Sequence, residues 1–161
     1  MNFTDKRLFS LVTAGIVIVC DQLSKWWVVA KLMQPPRAIE VTPFFDLVMV
    51  WNKGVTFGMF SAASSWTRWG FTGLALAIVV ALWLWLRKVE GRWPAASIGL
   101  VIGGALGNVI DRVYYGAVAD FLDFHVYGYH WPAFNVADSA ITVGVALLFI
   151  DALLGRKEPL K

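Results

Sequence analysis

Four long apolar runs set the pattern of this chain, and short polar clusters separate them. The first runs from about Leu8 to Ala30 and is interrupted by Asp21 and Lys25. The second, Trp69 to Leu86, carries no charge. The third runs from Ala95 to about Val113, with Asp111 and Arg112 near its end; the fourth runs from about Phe134 to Leu154, with Asp138 near its start. Each approaches the roughly 20 residues a helix needs to cross a hydrocarbon core about 30 Å thick. Nothing alternates over about ten residues in repeated segments, which excludes a transmembrane barrel. Residues 37–60 differ in kind. Ala38 to Thr42, Phe45 to Trp51 and Val55 to Phe57 are rich in β-branched and aromatic residues, and Pro43 and Asn52-Lys53-Gly54 punctuate them. A small antiparallel sheet is expected there. The fold class is therefore membrane all-α with a small β element: four transmembrane helices plus one outer sheet, in a single domain over residues 1–161, without repeats.

Basic residues give the orientation. Lys6 and Arg7 precede the first run, Arg87, Lys88 and Arg92 lie between the second and third, and Arg156, Lys157 and Lys161 follow the fourth. Four spans put these places on one side, and the positive-inside rule makes it the cytoplasm. Both termini are then inside, and residues 29–68 and 114–133 outside. Trp26, Trp27, Trp66, Trp69 and Trp131 fall at the outer boundary, and Trp83, Trp85 and Trp93 at the inner one, an aromatic belt on each face. Lys6 and Arg7 before Leu8 to Val19 also resemble a cleavable signal peptide. Cleavage needs small residues, however, and Ile18-Val19 before Cys20 are bulky. A retained helix is expected, and Cys20 is read as inert packing.

Composition agrees. Of 161 residues 58% are hydrophobic and only 16% charged, and the mean hydropathy is +0.64, an excess that a soluble core could not absorb. The net charge of +3 does not indicate nucleic acid, because the basic residues form no stripe. One cysteine permits no internal disulfide.

Ionisable groups within spans are costly and ask for a reason. At about 1.5 Å per residue, Asp21 lies about 20 Å up the first helix, and Asn108 and Asp111 about 20 and 24 Å up the third. Asp138 lies near the outer end of the fourth. Asp21, Lys25, Asn108, Asp111, Arg112, Asn135 and Asp138 thus share the outer slab of the bilayer, and Asp120 can turn back to it. Asp21 and Lys25, four apart, can pair as structural support. Arg112 at that depth will seek a carboxylate or carbonyl. Arg68 and Arg87 read as snorkelling side chains, and Asp151 as an interfacial one. Gly103-Gly104-Ala105-Leu106-Gly107, with Ala140, Gly144 and Ala146, allows close helix approach, for which packing alone is an adequate reason.

Asp120 and Asp138 have no basic partner nearby in sequence. In one cleft they would ionise in turn and share a proton. One could then take a proton from water and the other give one to a carbonyl, without metal or covalent intermediate. His125, His130 and Asp123 could bind a metal, but a solvated loop is the expected reading. No metal and no cofactor is expected.

At these residues the chain resembles the bacterial lipoprotein signal peptidases (signal peptidase II). Five blocks carry the resemblance in order: Asp21 to Lys25, Asn52 to Phe57, Gly103 to Arg112, Gly116 to Phe121 and Phe134 to Ile141. Ala119 stands where valine is more usual. The resemblance implies that Asp120 and Asp138 are the catalytic dyad, that Asn52, Gly54, Asn108, Arg112 and Asn135 bind substrate, and that Asp21, Lys25 and Asp111 support the fold. It implies a multi-pass protein of the bacterial inner membrane, with its site near the periplasmic face under a cradle-like sheet. Its partners would be diacylglyceryl-modified prolipoproteins, cut just before the lipidated cysteine, membrane lipid and globomycin-type inhibitors; a monomer is expected. Two other readings stay open. An ion-coupled carrier would also bury charge, but would place polar groups through the full thickness. A structural subunit would leave the outer cluster unexplained.

Overall fold

The structure, a computed structural model, describes residues 3–54 and 65–154. The chain runs α1 (Phe3–Trp27), a π-helical turn (Val28–Leu32), β1 (Ile39–Thr42), β2 (Phe45–Asn52), α2 (Ser65–Trp85), α3 (Arg92–Tyr115), β3 (Val118–Val126), β4 (Tyr129–His130) and α4 (Val136–Leu154). Four helical segments, Thr4–Leu32, Trp66–Trp85, Arg92–Tyr115 and Val136–Leu154, are long and apolar enough to cross a membrane. Their exposed faces carry Leu11, Ile16, Leu74, Val80, Val145 and Phe149, which is what a lipid solvent permits and water does not.

The third helix is the hub. It packs on α1, α2 and α4, and most of it is buried. Small residues make this possible. A Cβ on Gly103 would sit 2.7 Å from the Ala14 carbonyl oxygen of α1, and Gly104 lies against the Ala137 carbonyl of α4. Gly107 leaves the room that the Asp21 carboxylate occupies. Without a hydrophobic force between helices in lipid, close backbone approach of this kind supplies the packing. At the other end Lys6 Nζ donates to the Val89 carbonyl at 2.6 Å and the Arg7 guanidinium lies 5.5 Å from the Trp83 ring centroid. The start of α1 and the turn between α2 and α3 therefore share one end of the bundle, as the basic clusters predict.

The sheet lies at the opposite end, in the antiparallel order β1-β2-β3-β4. Here the structure differs from expectation. Of the three predicted strands, Val55 to Phe57 falls outside the described residues. A strand of the sheet instead comes from β3, a segment read only as an outer connection. Gly116, in the left-handed conformation at φ 79°, ends α3 by donating its N–H to the Arg112 carbonyl at 3.2 Å. A glycine C-cap stops the helix there, and the β-branched and aromatic residues that follow turn back along β2. His125 and His130 are likewise not in an open loop: they face one another across the β3–β4 hairpin, rings 4.8 Å apart.

Candidate active site

The start of α4 needs acceptors, because the first N–H groups of a helix have no partner within it. Asn135 caps it. Its Oδ1 accepts the Asp138 N–H at 2.9 Å, and Asp138 Oδ2 accepts the Asn135 N–H at 3.3 Å. This reciprocal pair is a capping box with aspartate in the third position. A further N–H, that of Ala137, is accepted by Asp21 Oδ1 of α1 at 3.0 Å. The helix that carries Asp138 is thus fixed both locally and from α1.

Asp120 arrives from β3. It stands opposite Val50 in the sheet, and Asn52, two residues on from Val50, shares that face as its diagonal neighbour. Asn52 Nδ2 donates to Asp120 Oδ2 at 2.9 Å, while Asn52 Oδ1 accepts the Gly54 N–H at 2.8 Å. The second bond settles which end of the amide faces the carboxylate. Gly54 has φ +90°, and a Cβ there would meet the Phe71 ring at 2.5 Å, so only glycine closes this turn against α2.

Asn135 joins the two aspartates. Its Nδ2 donates to Asp120 Oδ1 at 2.7 Å while its backbone serves Asp138. Asn108 of α3 donates to Asp138 Oδ1 at 2.7 Å, and its own Oδ1 accepts from Lys25 Nζ at 3.1 Å and from Asn135 at 3.2 Å. Both carboxylates therefore face amide donors. Burial pushes the Asp120 carboxyl up to about 6; the Asn52 hydrogen bond opposes this, the Asp138 charge adds to it, and Asn135 and Lys25 oppose it.

Lys25 does more than pair with Asp21. It lies 2.8 Å from both Asp21 Oδ2 and Asp111 Oδ2, and Asp111 Oδ2 also accepts the Ala119 N–H at 3.1 Å beside Asp120. One ammonium thus ties α1, α3 and the start of β3. Gln22, which sequence reasoning passed over, completes this layer by donating to Asp111 Oδ1 at 3.0 Å and to the Gly107 carbonyl at 3.3 Å. Its signal was present: a polar residue next to Asp21 at the depth of the other polar groups.

Arg112 contacts the Asn108 carbonyl at 3.4 Å and lies 5.7 Å from the Phe71 ring centroid. Among the described residues no ion pair holds it, so the carbonyl alternative of the sequence reading is the one realised. It lies with Asn108 at a groove of about 220 Å³ between α2, α3 and α4, otherwise lined by apolar side chains such as Leu74, Ile78 and Ile141. The structure so brings Asn52, Gly54, Asn108, Asn135, Asp120 and Asp138 together, with Arg112 at the groove and Asp21, Lys25 and Asp111 behind. His130 Nδ1 lies 2.8 Å from Asp123 Oδ2, and His125 is near Asp46 at 3.4 Å. Among the described residues no three such side chains are arranged to hold a metal ion.

Known proteins are similar to this chain in sequence and in fold. The family model for signal peptidase (SPase) II matches residues 13–154. The lipoprotein signal peptidase of Burkholderia thailandensis is 50% identical over 139 residues, 86% of this chain and 83% of that protein. That of Cupriavidus necator is 48% identical over 147 residues, 91% of this chain and 83% of that protein. A solved structure described as a bacterial membrane enzyme, obtained by the in meso method at 2.3 Å resolution, superposes with a TM-score of 0.76 at 33% identity, covering 94% of each chain. On these matches the chain belongs to the signal peptidase II family, the lipoprotein signal peptidases.

Proposed function

We propose that this chain is an aspartyl endopeptidase that removes the signal peptide from diacylglyceryl-modified prolipoproteins, cutting just before the lipidated cysteine. It works as one domain in the bacterial inner membrane, as a monomer with both termini in the cytoplasm and its site near the periplasmic face. The observation that carries this reading is that Asn135 holds Asp120 and Asp138 at once, one through its side chain and one through its backbone.

The two carboxylates divide the work. Asp138 lies in the first turn of α4, where its carboxylate accepts the Asn135 N–H and the helix dipole favours negative charge; it takes a proton from the attacking water. Asp120, buried and raised to about 6, carries the shared proton and gives it to the carbonyl oxygen. The tetrahedral diol then collapses. Asp138 passes its proton to the leaving cysteine nitrogen as the C–N bond breaks, and Asp120 recovers one from the diol. The pair ends as it began, with one proton between two carboxylates. Asn52, Asn108 and Arg112 border the groove with donors for the substrate backbone, Gly54 seats Asn52, and Asp21, Lys25 and Asp111 hold the layer beneath. The apolar groove takes lipid or signal helix, and a diacylglyceryl anchor keeps the scissile bond at head-group level. A globomycin-type cyclic peptide would compete for the same groove.

Cleavage of a lipidated peptide by purified protein tests this. Asp120→Asn and Asp138→Asn should each abolish turnover, and the double variant should be hardly worse, because the two act as one unit. Asp151→Asn, exposed near the far end of α4, should keep most activity. Normal cleavage by Asp138→Asn would overturn the assignment.

A further inference from the structure

A second cavity, of about 320 Å³, opens on the other side of the polar layer, between the outer ends of α1 and α3. Gln22 and Lys25 form its floor and Trp26, Ile110, Tyr114 and Tyr115 its walls. The proposed reaction uses none of this space. We infer that it is a binding site for the head group of a phospholipid bearing a primary ammonium, seated from the outer leaflet.

The occupant follows from what the walls offer. Val19, Leu23 and Trp26 are exposed and lie on one stripe of α1 by their spacing. Ile110 and Val113 are exposed on α3. On two spanning helices such side chains face acyl chains, so the cavity mouth opens to lipid. Tyr114 and Tyr115 pack edge to face at 4.6 Å, and Trp51 of β2 lies 5.1 Å from Tyr115. An amphiphile fits this order, apolar below and aromatic above. The floor then selects the head. Lys25 already contacts Asp21, Asp111 and Asn108, which takes all three ammonium protons. The Gln22 amide nitrogen serves Asp21, Gly107 and Asp111. No donor is left on the floor for an anion, and the donors on the walls, the Tyr114 and Tyr115 hydroxyls and the Trp26 N–H, are neutral. What remains on the floor is the Gln22 carbonyl oxygen, without a partner among the described residues, with the aromatic faces beside it. Both favour a cation that donates hydrogen bonds. The lipid phosphate meets a different group: Lys31, exposed on the π-helical turn, lies 5.8 Å from the Trp26 ring centroid at the cavity rim. A zwitterion with phosphate outside and ammonium inside matches both ends. Because Lys25 also holds Asn108, and Asn108 holds Asp138, the bound head group abuts the support of the dyad.

Native mass spectrometry of the detergent-purified full chain tests the site without reference to catalysis. Phosphatidylethanolamine and phosphatidylglycerol with identical acyl chains are titrated separately. The ethanolamine lipid should bind at least about fivefold more tightly, the factor that about 1 kcal/mol of cation–π attraction gives. Tyr114→Ala should remove that preference, Lys31→Gln should weaken both lipids alike and leave the preference in place, and Trp93→Ala, an exposed aromatic at the opposite end, should change neither. Equal binding of the two lipids by the unmodified chain would overturn the proposal. So would a preference that survives Tyr114→Ala, an affinity for both lipids that Lys31→Gln leaves unchanged, or a co-purified protein in place of lipid.

Discussion

Asp120 and Asp138 share Asn135, yet their surroundings differ. Asp120 is 1% exposed and accepts two side-chain amides, from Asn52 and Asn135. Asp138 is less buried and stands in the first turn of α4. The difference gives a test of which residue is the acid. The Asn52 amide stabilises ionised Asp120, so removing it favours the protonated form further. A hydrogen bond to a charged group is worth about 1.5 kcal/mol, or about one pH unit. If Asp120 donates the proton, activity falls as pH rises through its titration. In Asn52→Ala that alkaline limb of kcat/KM should then move about one unit higher, whatever happens to its height. Movement of the acid limb instead would make Asp120 the base and reverse the assigned roles. The limbs belong to the coupled pair, so the direction of movement carries the result.

Among the elements, the helices were legible and the sheet only half so. An apolar run of span length has few alternatives in lipid, and α1 to α4 coincide with the four runs, with ends shifted by a few residues. The polar slab was legible too, because buried charge at matching depths has few explanations. Besides Gln22, three features escaped. The strand β3 did, because a short mixed segment after a helix reads as a connection until its partner β2 is known. The capping box at Asn135 and Asp138 lay in plain spacing, but a functional reading of Asp138 hid its local one. Lys25 paired with Asp21 by helical spacing, whereas its bond to Asp111 depends on how α1 meets α3. That contact rests on glycines and can be tested by element. In Gly103→Ala the new Cβ would press on Ala14 backbone and on Val17 at 2.8 Å. Backbone cannot yield as a flexible side chain can, so a loss of about 1–3 kcal/mol is expected. Gly73→Ala on α2 meets nothing within 4 Å and should lose nothing, a clash-free change of this kind in a helix being neutral or stabilising by up to about 1 kcal/mol. Thermal unfolding in detergent compares the two; equal stability would mean that α1 does not rest on α3 as described.

For the whole molecule, function depends on which end faces the cytoplasm. Of the 14 basic residues, Lys6, Arg7, Arg87, Lys88 and Arg92 flank the spans at the end away from the sheet, and Arg156, Lys157 and Lys161 follow α4 in the sequence. The other six are Lys25, buried against two aspartates, Arg112, at the groove, and Lys31, Arg37, Lys53 and Arg68, so only the last four can act as outer loop or boundary charges. The bias predicts the sheet and the dyad outside, where an exported precursor presents its cleavage site. Single cysteines at Glu40 and Glu90 report the two ends, since both positions are exposed, one on β1 and one in the turn that Lys6 helps to hold. The background needs Cys20→Ala, because Cys20 is itself an exposed thiol. In intact spheroplasts a membrane-impermeant thiol reagent should label Glu40→Cys, and label Glu90→Cys only after permeabilisation. Labelling of both without permeabilisation would break the four-span topology. The reverse pattern would put Asp120 and Asp138 on the cytoplasmic side, beyond reach of a precursor anchored in the outer leaflet, and the proposed reaction would fail with it.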